Sequence, residues 1–312
     1  MRKFILALDQ GTTGSTALLI DSKNGEILDK ANFEFKQHYP NSSWVEHDLT
    51  DIFESIRKSV VEVLKNSGVD KSSIESIAIT NQRETTCAFS KDGSPLAKAI
   101  VWQDRRTSDY CLNEKNNYEK YKRKTGLPLD PYFSGTKMRW FLKNNDDIKK
   151  HADNNDLMFG TIDTYLLYKL TDGKAFKTEA SNASRTLLMN LETCDWDEEL
   201  LSFFEVPKNT LPEICDSFTN FGETKNLSFL PDGIPINCIL GDQQAALFGQ
   251  AGHAKGSLKC TYGTGAFILL NTGDEIVFSD DGLLTTVAYK KDGKACYALE
   301  GSSYIAGAAV QY

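Results

Sequence analysis

The chain has 312 residues, of which 40% are hydrophobic and 25% are charged, a composition typical of a globular protein long enough for two domains. It carries 35 Lys and Arg against 43 Asp and Glu, and the net charge of -8 argues against nucleic acid or an anionic membrane surface as the main partner. No apolar run is long enough to span a bilayer, so we expect no membrane insertion.

The N-terminus and the cysteines indicate the compartment. The opening Met1-Arg2-Lys3 leads directly into a predicted strand and lacks the apolar region of a signal peptide, so we expect a cytoplasmic protein. The seven cysteines are scattered along the chain and show no metal-binding spacing. We interpret them as reduced thiols.

The first predicted element is a hairpin with an unusual turn. Apolar runs at 4–8 and 17–20 predict two strands, and the turn between them holds a carboxylate, Asp9, two glycines and several hydroxyl side chains. Glycine lets the backbone approach a ligand, amides and hydroxyls suit a phosphate, and Asp9 can hold a hydrated divalent cation. The alternative interpretation is an ordinary hairpin turn.

Strands and helices then alternate through the next two hundred or so residues. In chain order, the predicted elements are a strand at 26–35, an amphipathic helix capped by Asp48 and ended by Gly68, a strand at 74–80, a hairpin formed by 87–90 and the Asp92-Gly93 turn, a short strand at 99–102, a polar helical region, a loop at 126–132, two helices within 135–172, a short strand at 186–191, a helix at 195–204, a strand from Pro235 and a helix from Asp242.

A second hairpin repeats the plan of the first. Residues 258–271 read as strand, Gly-Thr turn and apolar strand, and they follow a candidate domain boundary at 249–256. Duplication of a supersecondary unit at distant positions indicates a repeated organisation. Two facing hairpins of this kind predict a clamp on a polyphosphate between two domains.

Five stretches of the chain carry a family resemblance. The duplicated hairpins resemble those of the sugar kinase, Hsp70 and actin group of ATP-binding folds. Within that group the chain resembles the glycerol kinases of the FGGY carbohydrate kinase family over its whole length, through ALDQGTT (7–13), ITNQRETT (79–86), VWQDRRT (101–107), DPYFSGTK (130–137) and GDQQAALFGQ (241–250).

The resemblance implies a fold and a domain division. The fold is α/β, a ribonuclease H-like (actin-like ATPase) domain with a mixed central sheet and flanking helices, followed by the start of a second, duplicated domain. Residues 1–250 are then the N-terminal polyol- and phosphate-binding kinase domain. Residues 251–312 begin the C-terminal nucleotide-binding domain.

The resemblance also implies an activity and its base. The reaction is phosphoryl transfer from ATP to glycerol, with Mg²⁺ to neutralise charge and a carboxylate to accept the hydroxyl proton. Asp242 matches the family's general base, although its local sequence fits simple N-capping of the following helix equally well. Asp9 matches the metal position, with Asp242 beside it.

The resemblance also implies, position by position, which residues bind the substrate and which bind the nucleotide. The implied glycerol-binding residues are Arg83, Glu84, Trp102, Tyr132, Asp242, Gln243 and Phe267. The implied ATP- and ADP-binding residues are Thr12, Thr13, Gly14, Thr264, Gly307 and Gln311. From the residues alone, Arg83 and Glu84 read as a surface ion pair, and Trp102 and Phe267 as core aromatics.

Two features depart from the family pattern. Thr16 stands where many members carry an arginine near the phosphates, which predicts altered nucleotide contacts. The chain ends in an apolar stretch at 305–312, where the family continues through most of a second domain. We therefore expect a truncated chain that binds glycerol weakly and turns over ATP poorly or not at all, and a homo-oligomer for the full-length enzyme.

Three alternatives stay open on the sequence. The chain could be a kinase for another polyol or ketose of the same family, a nucleotide-gated actin-like or Hsp70-like binding module, or an inert pseudo-kinase fragment. The motifs at 81–86 and 102–106 favour glycerol over other polyols. The binding-module alternative leaves the predicted glycerol residues without a shared purpose.

Overall fold

A computed structural model of the chain describes residues 3–262 and 266–303. The strands in this part are β1 (Phe4–Gln10), β2 (Gly14–Asp21), β3 (Ile27–Glu34), β4 (Gln37–His38), β5 (Glu46–His47), β6 (Ile74–Asn81), β7 (Cys87–Ser90), β8 (Ala99–Ile100), β9 (Leu157–Gly160), β10 (Lys177–Glu179), β11 (Met189–Asn190), β12 (Asp195–Trp196), β13 (Glu213–Cys215), β14 (Phe218–Glu223), β15 (Pro235–Gly241), β16 (Leu258–Tyr262), β17 (Ala266–Gly273), β18 (Leu284–Lys291) and β19 (Lys294–Ser303).

The helices connect and cover these strands. They are α1 (Leu49–Ser67), α2 (Ser108–Tyr118), α3 (Lys122–Thr125), α4 (Ser134–Asn144), α5 (Asp146–Asp153), α6 (Ile162–Leu170), α7 (Ala180–Ala183), α8 (Glu198–Phe204) and α9 (Asp242–Gly249), with short 3₁₀ turns at Lys71–Ser73, Glu119–Tyr121 and Lys208–Thr210. Within the described residues, no helix is both long and apolar enough to cross a membrane.

A six-stranded mixed sheet organises the first part of the chain. Its order is β14-β15-β6-β1-β2-β3. Strands β1, β6 and β15 are parallel, and the other neighbours are antiparallel. The predicted hairpin, third strand and mixed direction are therefore confirmed. The three parallel strands end at the same edge of the sheet.

Helix α1 covers one face of this sheet. The Asp48 carboxylate accepts the Thr50 amide at 2.8 Å, and Gly68, at φ +65°, ends the helix in the left-handed conformation that glycine adopts without strain. The buried side chains Leu49, Ile52 and Ile56 lie in one core with Leu6, Leu8 and Leu19 of the sheet. The amphipathic pattern and both helix ends are confirmed.

One prediction in the middle of the chain is confirmed and another is wrong. Residues 87–90 pair with β9 on one side, and on the other side Phe89 forms an antiparallel bridge with Pro95 across the predicted turn, so the short hairpin is confirmed. The prediction of two helices within 135–172 is wrong. The region 135–172 contains three helices with β9 between α5 and α6. Strand β9 is four residues long and fully buried, so it has neither alternation nor length to distinguish it from a helix.

A second, four-stranded antiparallel sheet follows α9, in the order β16-β17-β19-β18. It is antiparallel throughout and contains the second predicted hairpin, of which the Gly-Thr turn at 263–265 lies outside the described residues. Val287 and Tyr297 of this sheet belong to the core cluster that also contains Leu127 and Leu188. The second sheet is therefore packed on the part of the chain that precedes it.

The cap of α1 supports a stability prediction. We expect Asp48→Ala to lower the free energy of unfolding by about 1 kcal/mol, because the Thr50 amide loses its acceptor. Urea denaturation followed by circular dichroism measures the change. The control is Asp48→Asn at the same position, since asparagine caps as well as aspartate. Equal destabilisation by the two substitutions would contradict the capping role.

Candidate active site

The ends of the three parallel strands bring the predicted residues together. In the ladder, Asp9 of β1 pairs with Thr80 of β6, and Asn81 of β6 pairs with Gly241 of β15. Asp9, the segment that follows β6 and Asp242 therefore emerge side by side at one sheet edge. Open α/β sheets place their ligand crevice at this edge.

A cavity of about 150 Å³ opens there. It is lined by Thr12, Gln82, Arg83, Glu84, Trp102, Tyr132, Asp242, Gln243 and Phe267. Every residue predicted to bind the substrate lines it, although these residues come from widely separated parts of the chain. The cavity also contains Thr12, which was predicted for the nucleotide, and Gln82, which sequence reasoning missed.

Arg83 and Glu84 are buried, so the interpretation as a surface ion pair is wrong. They are 3% and 1% exposed. Glu84 has φ +60°, a left-handed conformation that is unusual for glutamate, and its carbonyl accepts the Ser134 hydroxyl at 2.9 Å. Strain of this kind persists where the surroundings determine it, and it is concentrated at functional sites.

The two side chains belong to a cluster of four buried charged groups, Arg83, Glu84, Arg185 and Glu300. Arg83 donates to Glu300 from both terminal nitrogens, at 2.5 and 2.9 Å. Arg185 donates to Glu84 at 2.6 Å and to Glu300 at 3.0 Å. Burial alone would raise the pKa of the Glu300 carboxyl, but Arg185 and Arg83 override it and hold this pKa at about 2.

Sequence reasoning missed Arg185 and Glu300. Arg185 stands in a segment of small and apolar residues and contacts the rings of Tyr132 and Phe133, with its guanidinium carbon 5.6 and 5.2 Å from their centres. A lone arginine in such a segment is the only signal that points to it. Glu300 has no local signal, because it is brought to Arg83 from 217 residues away.

Asp242 is the first residue of α9, and Gly241 is the N-cap, so the alternative interpretation of Asp242 as a capping residue is wrong. Its carboxylate accepts the Gln243 amide at 2.7 Å and lies 3.4 Å from Arg83 Nε. Its side chain is 39% exposed and faces the cavity. A carboxylate placed in this way is able to accept a proton from a group bound in the cavity.

Gln243 is oriented by a lysine that was not predicted. Lys259 of β16 is 2% exposed and its ammonium donates to Gln243 Oε1 at 2.5 Å. This contact directs the amide nitrogen of Gln243 toward Asp242 Oδ2, at 3.4 Å. The neighbours Leu258 and Cys260 are exposed, so β16 buries its charged residue and exposes apolar ones, the reverse of an ordinary strand.

Aromatic side chains form the walls of the cavity. Trp102 donates its indole N–H to the Thr12 hydroxyl at 3.0 Å and meets the Tyr132 ring edge-on at 5.8 Å between centres. Lys137 is buried and its ammonium donates to the carbonyls of Pro131 and Tyr132 at 2.7 and 2.6 Å, which holds the Tyr132 loop in place. The arrangement presents apolar faces beside polar groups.

Asp9 lies near the end of β1, and β6 separates β1 from β15, the strand that precedes Asp242. Burial and, secondarily, the charge of Asp242 raise the pKa of the Asp9 carboxyl to about 6. Opposite it in the ladder, the Thr80 hydroxyl oxygen is buried and has no hydrogen-bond partner among the described residues. No group of three or more His, Cys, Asp or Glu that could hold a metal ion occurs in this described part of the chain.

These features fit Mg²⁺ bound together with a phosphate ligand. Magnesium is commonly held by one or two carboxylates plus substrate oxygens, and it seldom needs an all-protein cage. A cation near Asp9 and Asp242 would relieve their mutual repulsion. The carboxylate pair and the unpaired Thr80 hydroxyl are therefore suited to such an ion.

The turn after Asp9 is tight. The Gly11 amide donates to the Gly14 carbonyl at 2.9 Å, and Thr13 is exposed at the tip. A Cβ on Gly14 would lie 3.0 Å from the Phe33 carbonyl, so little room exists for a larger residue. The other predicted nucleotide residues, Thr264, Gly307 and Gln311, lie outside the described residues.

The chain matches a family model over most of its length. Residues 4–249 match the model of the N-terminal domain of the FGGY family of carbohydrate kinases. Over its whole length the chain is 51% identical to a glycerol kinase of Staphylococcus haemolyticus and 50% identical to one of Bacillus cereus. The chain spans 63% of the length of these curated relatives.

Solved structures show the same fold. The glycerol kinase of Plasmodium falciparum, crystallised with ADP, is 37% identical with a TM-score of 0.93, and the match covers 99% of this chain and 63% of that one. A gluconate kinase of Lactobacillus acidophilus gives a TM-score of 0.89 at 22% identity, over 100% of this chain and 62% of that one, and shows likeness of fold alone. The predicted actin-like, ribonuclease H-like fold class is confirmed.

The backbone before Asp242 supports a second prediction. A Cβ on Gly241 would lie 2.8 Å from Arg83 Cδ, and Arg83 is unable to yield because Glu300 holds its guanidinium. We therefore expect Gly241→Ala to lower the free energy of unfolding by about 1–3 kcal/mol in urea denaturation.

The matched control is Gly249→Ala at the other end of α9. A Cβ there meets nothing within 4 Å. Alanine at a helical position with free space is neutral or stabilises by up to about 1 kcal/mol. A Gly241→Ala protein as stable as the Gly249→Ala protein would show that Arg83 is free to move.

Proposed function

The chain belongs to the FGGY family of carbohydrate kinases, and on this basis we propose that it is the polyol-binding part of a glycerol kinase, which uses ATP to convert glycerol to sn-glycerol 3-phosphate. The relatives that are about half identical to it carry that name. The observation that carries the proposal is the cavity of about 150 Å³, in which a buried Arg-Glu pair, a carboxylate and aromatic walls meet.

Arg83 and Glu84 suit the recognition of adjacent hydroxyls. The terminal nitrogens of Arg83 donate to Glu300 and Gln244, and its Nε lies 3.4 Å from Asp242 Oδ1 at the cavity. One carboxylate oxygen of Glu84 takes the Arg185 hydrogen bond, and no described residue donates to the other. The pair therefore offers both a donor and an acceptor to a diol.

The aromatic walls suit the carbon chain of the same ligand. Trp102 and Phe267 line the cavity together with Tyr132. They exclude water and restrict the orientation of a small flexible substrate, which lowers the entropic cost of reaching the reactive geometry. This arrangement explains why aromatic and charged side chains share so small a space.

Asp242 is the proposed general base. It takes the proton of the attacking hydroxyl as the hydroxyl oxygen bonds to the γ-phosphorus of ATP and the bond to the leaving ADP oxygen breaks. Arg83 Nε, 3.4 Å away, stabilises the ionised carboxylate before the transfer. Mg²⁺, when bound near Asp9 and Asp242, supplies neutralisation of the phosphate charge. Thr12, Thr13 and Gly14 form the turn proposed for the phosphates.

The comparison favours glycerol over the alternatives. Gluconate and xylulose kinases match at 22% identity, which supports the fold and not the substrate. An actin-like or Hsp70-like binding module would leave the lined cavity without a purpose. The pseudo-kinase alternative, the cytoplasmic location, the homo-oligomer and the division at residue 250 stay predictions.

The role of Asp242 is tested by substitution in the full-length gene product. We expect Asp242→Asn to lower kcat by about 100- to 10,000-fold, because the hydroxyl proton loses its acceptor, and to change the Kd for glycerol by only a few fold. A coupled ADP-release assay and titration calorimetry measure the two quantities. The control, Asp153→Asn, changes an exposed aspartate and should behave as wild type. Full activity of Asp242→Asn would remove the assignment.

The raised pKa of Asp9 predicts a pH dependence. Only the ionised carboxylate attracts a cation, so a proton competes with Mg²⁺ below a pH of about 6. We expect the affinity for Mg-ADP to fall as the pH is lowered from 7 to 5. Burial raises the pKa of Asp9 from the ordinary 3.8 to about 6, so ionisation of this carboxyl opposes folding. Its contribution to the free energy of unfolding therefore declines as the pH rises from about 3.8 to about 6.

Calorimetry of Mg-ADP binding between pH 5 and 8 measures this dependence. The phosphate groups titrate in the same range, and Asp9→Asn serves as the control for their contribution. We expect the variant to keep only the shallower dependence that comes from the ligand. Identical pH curves for the two proteins would show that Asp9 takes no part in cation binding.

A further inference from the structure

Two buried residues outside the cavity contact the proposed glycerol-binding pair. Glu300 is 0% exposed and accepts from both terminal nitrogens of Arg83, at 2.5 and 2.9 Å. Arg185 is also 0% exposed and bridges Glu84 and Glu300, at 2.6 and 3.0 Å. Neither Glu300 nor Arg185 lines the cavity. Their contacts are with the side chains that do.

Resting on the proposed function, we propose that Glu300 and Arg185 are positioning residues, which hold Arg83 and Glu84 in the orientation that binds the polyol and make its affinity depend on docking of the second sheet. Glu300 lies in β19 of that sheet, whereas Arg83 and Glu84 follow β6 of the first. The ion pair is thus a direct link between the two sheets at the substrate site.

The charges around Arg83 explain why the position of its guanidinium depends on Glu300. Arg83 has a second carboxylate within reach, Asp242, at 3.4 Å from Nε. With Glu300 removed, the guanidinium keeps its charge in a buried setting and has to find another acceptor. Asp242 and Glu84, already 3.4 and 3.9 Å from Arg83 Nε, are the carboxylates available, and a guanidinium that turns its terminal nitrogens toward either one leaves its present orientation.

Arg185 acts on the other member of the pair. One carboxylate oxygen of Glu84 receives its Nε–H, which leaves the second oxygen for the ligand. The planar guanidinium reaches Glu84 and Glu300 together, and a lysine ammonium is a single point charge that lacks this fork. The contacts of Arg185 with the Tyr132 and Phe133 rings hold its plane in place.

Two further contacts from the second sheet support the same link. Lys259 of β16 holds the side chain of Gln243 at 2.5 Å, and Phe267 of β17 lines the cavity. Three strands of the second sheet therefore reach the site. Each contact involves a residue proposed to meet the polyol.

Glycerol binding to the full-length gene product tests the proposal. We expect Glu300→Gln, which keeps the shape and removes the charge, to raise the Kd and KM for glycerol about tenfold or more, because Arg83 loses a charged hydrogen-bond partner. Arg185→Lys should raise them in the same direction by a smaller factor. For both variants we expect the Kd for Mg-ADP to change less than about twofold, as these contacts serve the polyol.

The control is Asp197→Asn. Asp197 forms an ion pair with Lys124 at 2.9 Å, its side chain is 10% exposed, and it does not line the cavity. It should lose stability with an unchanged Kd for glycerol. A merely structural role for Glu300 would give this same result, a lower Tm with wild-type glycerol affinity, and would overturn the proposal.

Failure of the proposed function is distinguishable from failure of this inference. If the folded wild-type protein binds no glycerol, the proposed function is wrong. If it binds glycerol and both variants bind it equally well, the positioning role is wrong. Should Glu300→Gln fail to fold, Arg185→Lys, which preserves the charge, decides between the outcomes through the same Kd for glycerol.

Discussion

The paired hydrogen bonds between Arg83 and Glu300 are the interaction on which the site depends. They join the end of a parallel strand in one sheet to the last described strand of another. Removing an arginine and a glutamate from water is costly, and attraction in a buried setting offsets the cost only when the geometry satisfies both groups. The second pair, Arg185 with Glu84, shares that cost within one cluster. The buried Arg83–Glu300 ion pair thus packs the two sheets together and also orients a side chain that lines the cavity.

The parallel strands determine where this cluster stands. Because β1, β6 and β15 run in the same direction, their carboxyl ends deliver Asp9, Arg83 and Asp242 to one edge. The separation between β1 and β15 by one intervening strand gives the two aspartates different surroundings. Asp9 is buried enough for its pKa to rise to about 6, whereas Asp242 is 39% exposed and lies beside Arg83. The two carboxylates therefore differ in burial and in their charged neighbours, although both lie at one edge of the sheet.

The sequence predicts the elements that depend on interactions between near neighbours, and it does not predict the contacts between distant segments. The first hairpin, the capped helix α1 and the strand-acid-helix unit at Asp242 follow from periodicity and turn chemistry, which act between near neighbours. The residues predicted to bind the substrate come from the family resemblance, and all of them line the cavity. Strand β9 was not predicted because it is short and wholly buried. The role of Glu300 was not predicted because the sequence around it does not indicate a partner 217 residues earlier.

The boundary of the matched family model differs from the boundary of the site. The model ends at residue 249, before Lys259, Phe267 and Glu300. Up to that point the chain supplies Arg83 and Arg185 with only one carboxylate of the cluster, Glu84, and leaves Gln243 without the lysine that orients it. A chain ending there would lack the carboxylate that accepts hydrogen bonds from both Arg83 and Arg185. The start of the second sheet is therefore as much a part of the proposed polyol site as the strand ends that line it.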